Sequence, residues 1–266
     1  MRPDVALQAL RERRRSLVWW ALGVAALVLL TVAFYPSIRD DTAINEYVKD
    51  LPESLRGLFA GGELDIASPT GYLNSQIYAL MAPLVFLVFA IGAGAGAVAG
   101  EEERGTLDFL LAHPLRRRDY AVQRFLALAA LVAALSAVLL ATTWLGSLAV
   151  ELEIGFGRVL AATVSVGLLA VLFGTLALAA GSVRSGRAQA IAVAAGVAVA
   201  AWLLDGLGQA VDFLEPWRPL SPYYQAIGRN PLREGALWSS WTLLAAATAV
   251  LAVMAALGLE RRDLRQ

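Results

Sequence analysis

The sequence predicts an all-α polytopic membrane protein with six transmembrane helices, and three observations support that prediction. The chain of 266 residues is 58% hydrophobic, with a mean hydropathy of +0.62, which is too apolar for a soluble domain of this length. Six uncharged stretches approach or exceed the roughly 20 residues that a helix needs to cross a bilayer core. The charged residues are concentrated between these stretches.

The six predicted spans are long apolar runs separated by charged or turn-forming segments. They cover residues 17–34, 73–99, 126–150, 159–181, 188–204 and 237–259. The fifth is the shortest, and its flanking polar residues, Gln189 and Asp205, are expected near the headgroups. The first run is longer than the apolar region of a usual signal peptide, and no small-residue cleavage site follows it. It is therefore expected to remain as a span, inside a six-helix transmembrane domain over residues 17–259.

The distribution of basic residues predicts the orientation of the chain. About two thirds of the 22 Lys and Arg residues lie in segments on the side of both termini. Basic residues favour the cytoplasmic face, so both termini are expected there. Residues 35–72 then form an acidic external loop and 100–124 a cytoplasmic loop. Residues 206–236 form a second external region, and 260–266 a cytoplasmic tail.

Residues 1–16 are expected to form an amphipathic helix. The segment "VALQALRERRRS" follows Pro3 and Asp4, a plausible helix start. Its apolar residues fall on one side, and its arginines cluster at the far end. One interpretation places this helix in the headgroup layer as an elbow before the first span. The other is a positively charged anchor with no further role.

Several classes of function are disfavoured. The spans as drawn contain no Asp, Glu, Lys, Arg or His, which weighs against ion pumps and proton-coupled transporters. One histidine, His113, and no cysteine are too few ligands for an intramembrane metalloprotease. The only lysine, Lys49, is not in a P-loop, so any ATP must be bound by another chain. We therefore expect no catalytic, cofactor-binding or metal-binding residues, and the zero net charge does not favour nucleic acid.

The second span ends in "IGAGAGAVAG", where Gly92, Gly96 and Gly100 are spaced by four. Residues at this spacing share one helix face, and small side chains there let another helix approach closely. Two interpretations remain open, close packing within one chain and a contact between two copies of it.

The most charged stretch, "GEEERGTLDFLLAHPLRRRDY", connects the second and third spans. Its glutamates continue the helix of the second span, and Gly105 breaks that helix. Thr106 is a good N-cap for a new short helix, which Pro114 ends. Leu107, Leu110 and Leu111 share one side of it. This side can lie on the lipid surface or dock into a groove on a soluble partner.

This stretch resembles the first cytoplasmic loop of ABC-2 type permeases, the six-helix membrane subunits of ATP-binding-cassette transporters in bacteria and archaea. "SPYYQAIGRNPLREG" before the last span and "ERRDL" after it are also similar to that family, whereas Leu115 departs from it. The resemblance implies a cell-membrane permease that pairs with a second permease, usually a copy of itself. Two ATPase subunits, which bind ATP and Mg, would dock beneath.

The resemblance also assigns roles to segments and residues. The loop helix would be the coupling helix that contacts the ATPase, and residues 206–236 would form short re-entrant helices. The implied ATPase-coupling residues are Glu102, Glu103, Arg104, Gly105, Thr106, Leu107, Leu110, Leu111, Pro114 and Arg117.

The leading functional hypothesis is therefore the permease subunit of an ATP-driven exporter. One alternative is a membrane anchor or regulatory subunit that moves no substrate. Another is a lipid-modifying enzyme that uses the external carboxylates Asp205, Asp212 and Glu215, although a solvated surface also accounts for these. Aromatic residues near the outer face fit either a gate or an interfacial belt. They are Trp202, Trp217, Tyr223 and Tyr224.

Overall fold

The computed structural model describes residues 4–37, 52, 68–103, 117–183 and 186–260 of the chain. Six of the helices in these ranges are long and apolar enough to cross a membrane, which confirms the predicted fold class. The candidate spans are Arg11–Ser37, Pro69–Ala97, Arg117–Ala149, Phe156–Val183, Arg187–Leu207 and Trp238–Glu260.

The α-helices are numbered in chain order within the described residues. They are α1 (Asp4–Phe34), α2 (Pro69–Leu73), α3 (Met81–Ala97), α4 (Ala99–Glu103), α5 (Arg117–Ala149), α6 (Phe156–Val183), α7 (Arg187–Leu207), α8 (Pro231–Glu234) and α9 (Trp238–Glu260). Short 3-10 helices cover Tyr35–Ser37 and Glu215–Leu220, and π-helical turns cover Asn74–Tyr78 and Tyr224–Gly228.

Helix α6 lies at the centre of the bundle. It packs most extensively against α3 and α9, and also contacts α5 and α7, whereas α1 lies at the periphery against α5. The fully buried Tyr78 joins three spans, because its hydroxyl lies 3.1 Å from the Thr163 hydroxyl and 3.4 Å from that of Thr143. These three buried hydroxyl groups thus satisfy one another away from water.

The spans alternate in direction, so the bundle has two distinct ends. The end with Arg13, Glu101, Arg187 and Glu260 is called the terminal end, because both described chain ends lie there. The opposite, distal end holds Tyr35, Ser68, Leu152, Asp205 and Trp238.

Some of the predicted segments lie within the described residues and others do not. Helix α1 runs from Asp4 to Phe34 without a break, so the expected N-terminal helix is continuous with the first span. Its position relative to a bilayer surface stays a prediction. Residues 104–116 of the coupling loop, most of the external loop and the tail 261–266 lie outside the described residues. Residues 206–236 do contain short helices, and their entry into the membrane also stays a prediction.

Candidate functional site

The predicted ATPase-coupling residues divide into two groups. Arg104, Gly105, Thr106, Leu107, Leu110, Leu111 and Pro114 lie outside the described residues. Glu102 and Glu103 belong to α4, and Arg117 is the first residue of α5. The structure therefore shows how the two ends of the loop are held in the bundle.

A buried ion pair joins these two ends. Arg124 Nη2 lies 3.3 Å from Glu101 Oε1, and both side chains are only 8% exposed. Arg124 Nε also donates a hydrogen bond of 2.9 Å to the Tyr120 hydroxyl, and its guanidinium lies 5.0 Å from the centre of that ring. We call these residues the Glu101–Tyr120–Arg124 triad. It connects α4 directly to the first turns of α5.

The triad lies beside a break in the second span. Helix α3 ends at Ala97, Val98 lies in the right-handed region with φ −119° and ψ −62°, and α4 begins at the next residue. The last carbonyl groups of a helix lack partners within it. The Tyr120 hydroxyl donates to the Ala97 carbonyl at 3.1 Å, and Arg13 donates to the Ala93 carbonyl at 3.4 Å. The Ala97 carbonyl is one of these last groups and that of Ala93 lies one turn earlier, so side chains from α5 and α1 both contact this end of α3.

The three glycines spaced by four have different surroundings. A Cβ at Gly96 would lie 2.5 Å from Arg13 Nη2, and one at Gly100 would lie 3.8 Å from the Arg187 side chain. Among the described residues, no atom outside the local backbone of α3 lies within 4 Å of the corresponding position at Gly92. The missing side chain of Gly96 therefore leaves space for the Arg13 side chain. Gly92 lies against no other described helix of this chain. A role for these glycines between two copies stays a prediction.

The backbones of two spans approach each other closely at Gly94 and Gly174. A Cβ at Gly94 would lie 1.9 Å from the Gly174 carbonyl oxygen, and one at Gly174 would lie 2.9 Å from that of Ala90. Helices α3 and α6 therefore cross with no side chain between them. Gly94 lies within the same "IGAGAG" run but is not one of the three glycines spaced by four.

An apolar groove of about 530 Å³ lies between α3 and α7. Leu84, Val88 and Gly92 line it from α3. Ala195 and Val199 line it from α7. The groove ends at two aromatic residues, Trp202 and Tyr223. Its volume is within the range of about 300–1,000 Å³ that is usual for small-molecule sites.

The distal end of this groove is covered by residues 215–228, which we call the distal cap. Ser221 Oγ donates to the Ala201 carbonyl of α7 at 2.7 Å. The Tyr223 hydroxyl donates to the Ala79 carbonyl just before α3. Burial, with a smaller contribution from the Asp205 carboxylate, raises the pKa of the Tyr223 phenol. This phenol therefore stays protonated and remains a donor. The cap is thus attached to both helices that form the groove.

An ion pair attaches the cap to α7 a second time. Arg218 Nη2 lies 3.0 Å from Asp205 Oδ1, and the Asp205 side chain is 6% exposed. The expectation of a solvated Asp205 is therefore wrong, because the chain folds back over the end of α7 and buries the carboxylate. Asp212 and Glu215 are exposed, and among the described residues no group of three or more His, Cys, Asp or Glu side chains could hold a metal ion.

The four aromatic residues near the distal end have different positions. Trp202 and Tyr223 line the groove, Trp217 is exposed, and the Tyr224 ring lies 5.0 Å from the Arg218 guanidinium. Only the first two could therefore contact a molecule in the groove of one chain.

Sequence reasoning missed both ion pairs because Glu101 and Asp205 each follow an apolar run, where a carboxylate is ordinarily solvated. The spacing of Tyr120 and Arg124 by four residues was a usable signal. Residues four apart on a helix are neighbours, so an aromatic ring can shield a guanidinium there. No comparable local signal pairs Asp205 with Arg218, which is 13 residues later.

Six apolar helices long enough to cross a membrane, with a groove between two of them, define the class of multi-pass membrane proteins. The family model described as "ABC-2 family transporter protein" matches residues 4–264, nearly the whole chain, and the chain belongs to this family. It is thus a permease subunit of an ABC transporter, a membrane transport component whose family implies an ATP-binding-cassette ATPase partner. No curated protein matched the chain.

Proposed function

We propose that the chain forms the translocation path of an ABC exporter as a dimer and is driven by two copies of a separate ATPase subunit. The observation that best supports this proposal is the apolar groove between α3 and α7, which the distal cap covers at one end. A path for alternating access needs such a cavity together with an element that can close it.

The groove favours an apolar or amphipathic cargo. Its lining side chains are aliphatic apart from Trp202 and Tyr223, and the Tyr223 hydroxyl is already engaged with Ala79. A strongly polar solute would lose its hydration there and gain few hydrogen bonds. A molecule with a large apolar surface would gain free energy by leaving water.

Exposed side chains along the groove support a dimer. Leu84, Val88 and Val199 line it and are each about half exposed in a single chain. Apposition of the same face of a second copy would cover these side chains and enclose the groove. A two-fold arrangement of this kind uses the same surface on both subunits.

The proposed ATPase docks at residues 104–116 on the terminal end, which we place on the cytoplasmic side of a prokaryotic cell membrane. ATP and Mg would be bound by that partner. The apolar side of the loop helix would supply the contact, and its arginines would hold it at the membrane surface. The side chains that we assign to the contact are Leu107, Leu110 and Leu111.

The docking is tested by co-purification of the ATPase with Leu110→Asp and with the conservative variant Leu110→Met. The aspartate would place an unpaired charge in an apolar contact, at a cost of several kcal/mol. We expect it to insert normally and to lose the ATPase, whereas Leu110→Met retains it. An aspartate variant that keeps its ATPase would contradict the docking and leave the lipid-surface interpretation of the loop.

The path is tested by a spin label on Val199→Cys, since the chain contains no other cysteine. In reconstituted complex we expect accessibility of this label to a water-soluble nickel complex to differ between the ATP-free and the ATP–vanadate states. The matched control is Val197→Cys, which is exposed on α7 outside the groove and should remain accessible mainly to oxygen. Equal accessibility of label 199 in both states would contradict the path and favour a non-transporting anchor.

A further inference from the structure

The break at Val98 poses a mechanical problem for a transporter driven from its loop. Helix α4 is separated from α3 by one residue, Val98, whose φ of −119° departs from the usual helical value of about −63°, so a force on α4 could bend the chain there and leave α3 in place. Helices that bend sharply do so at such interruptions of the hydrogen-bond ladder. A contact that crosses the break is therefore needed if α3 is to follow α4.

The Glu101–Tyr120–Arg124 triad supplies such a contact. Glu101 belongs to α4, on one side of the break, and is paired with Arg124. Arg124 donates to the Tyr120 hydroxyl, which in turn donates to Ala97, the last residue of α3. A continuous chain of polar contacts thus runs from α4 through α5 to the end of α3. Charge-assisted hydrogen bonds of this type are stronger than neutral ones.

The location of the triad distinguishes it from a surface ion pair. Both charged side chains are almost fully buried, and the tyrosine ring that separates them from the apolar residues nearby is itself buried. Among these apolar residues are Val98 and Leu259. Buried charges are retained only where the pairing and hydrogen bonding are good. The pair therefore holds α4 and α5 in one fixed arrangement at the two ends of the 104–116 segment.

We propose that Glu101, Tyr120 and Arg124 are positioning residues that clamp the two ends of the loop, so that displacement of residues 104–116 moves α3 and α5 together. This inference rests on the proposed function, because it requires an ATPase to displace the loop. The clamp makes no contact with the groove. It determines whether movement at the terminal end reaches the groove or is absorbed at Val98.

The test uses the reconstituted complex with the spin label at position 199 and compares three quantities. They are ATPase co-purification, melting temperature in detergent, and the ATP-dependent change in nickel accessibility. The single variants are Glu101→Gln and Arg124→Met. The paired variants are the neutral Glu101→Gln/Arg124→Met and the reversed Glu101→Arg/Arg124→Glu. Arg11→Met, an exposed arginine on α1, is the matched control.

We expect both single variants to bind and activate the ATPase while the accessibility change falls to less than about a third of that in the parent protein. The neutral pair should regain the melting temperature of the parent, since no buried charge is left unpaired, but not the accessibility change. The reversed pair should regain both. A contact that only stabilises the fold would regain the accessibility change whenever the melting temperature is regained. The expected pattern, in which the neutral pair regains only the melting temperature, therefore distinguishes the clamp from such a contact. Tyr120→Phe, which removes only the bridging hydroxyl, should give an intermediate change.

A single variant with the full accessibility change would overturn the clamp, as would a neutral pair that regains this change along with its melting temperature. Loss of ATPase binding in the single variants that the reversed pair does not restore would also overturn it. Failure of the proposed function gives a different result. In that case the parent protein carrying the label at 199 shows no ATP-dependent change at all.

Discussion

The Tyr223 hydroxyl donates a hydrogen bond to the carbonyl oxygen of Ala79, a residue 144 positions earlier in the chain. This bond joins the distal cap to the start of the second span. Tyr223 also lines the groove, so the side chain that attaches the cap is the one that a molecule leaving the groove at this end would meet. Tyr223 therefore takes part both in attaching the cap to the second span and in closing the groove at this end.

Tyr223→Phe should weaken the attachment of the cap without disturbing the packing of the ring. The variant leaves the Ala79 carbonyl without this partner, which costs about 1–3 kcal/mol for a buried acceptor. We expect a lower melting temperature in detergent and greater nickel accessibility at a spin label on Val199→Cys in the absence of ATP. An unchanged accessibility would show that the cap does not close the groove.

Tyr223→Phe should also change how the melting temperature depends on pH in the alkaline range. The folded state holds the pKa of Tyr223 above its ordinary value of 10.0, mainly through burial. The contribution of Tyr223 to the free energy of unfolding is therefore complete below about pH 10. It is lost as the pH rises above that value, because the Tyr223 phenol ionises readily there only in the unfolded chain. Melting temperatures between pH 7 and pH 11 should fall less steeply for Tyr223→Phe than for the parent protein.

Removal of one partner of the Asp205–Arg218 ion pair should lower the stability of the fold strongly. Replacement of both partners by uncharged residues should change the stability little. Removal of one partner of a buried pair typically costs roughly 3–5 kcal/mol, whereas an uncharged pair of similar volume costs little. We expect Asp205→Asn and Arg218→Met each to lower the melting temperature. The double variant should regain most of it, and the exposed Asp212→Asn should have no effect. Additive losses in the double variant would show that the two side chains do not interact.

Gly94→Ala should disrupt the bundle, whereas Gly92→Ala should be tolerated. The added methyl at position 94 would lie 1.9 Å from a backbone oxygen of α6, and that at position 92 would meet no atom within 4 Å. Overpacking usually costs about 1–3 kcal/mol, and a backbone neighbour cannot move aside as a side chain can. The yield of monodisperse protein in detergent measures the difference. Equal yields would contradict the crossing of α3 and α6.

The isolated chain should neither bind nor hydrolyse ATP. It lacks the glycine-rich loop with a following lysine that holds nucleotide phosphates in P-loop enzymes. Phosphate release by chain purified without its ATPase should equal the buffer background. Hydrolysis that persists through further purification, and that follows the chain rather than a contaminant, would contradict the assignment of ATP to a partner.

Lys49→Cys should react with a membrane-impermeant maleimide in intact cells, because the excess of arginines places residue 49 outside. A cysteine in place of Gln266 should react only after permeabilisation. The reverse pattern would invert the topology and place the loop at residues 104–116 on the external side.

The positions of the spans were predictable because each is a long apolar run. Their limits were less so, since the third span begins at Arg117 rather than at residue 126. The burial of Asp205 was not predictable from composition. A carboxylate after an apolar run is ordinarily solvated, and only the return of the chain at Arg218 buries it. The spacing of glycines in the sequence also does not show which of them lies where two helices cross. Gly92, Gly94 and Gly96 alternate within one run, and the packing of α6 determines which one is close to its backbone.

The contact of Gly94 with Gly174 also defines a fulcrum for the second span. Gly94 is three residues from the end of α3 and thirteen from its start, which correspond to arms of about 4.5 Å and about 20 Å along the helix axis. If α3 tilts about this close contact, its two ends move in opposite directions. A displacement of Ala97 would thus be reversed in direction and enlarged about fourfold at Met81, beside the carbonyl to which the distal cap is attached. A small displacement of α3 at the terminal end would thus become a larger displacement at the distal end.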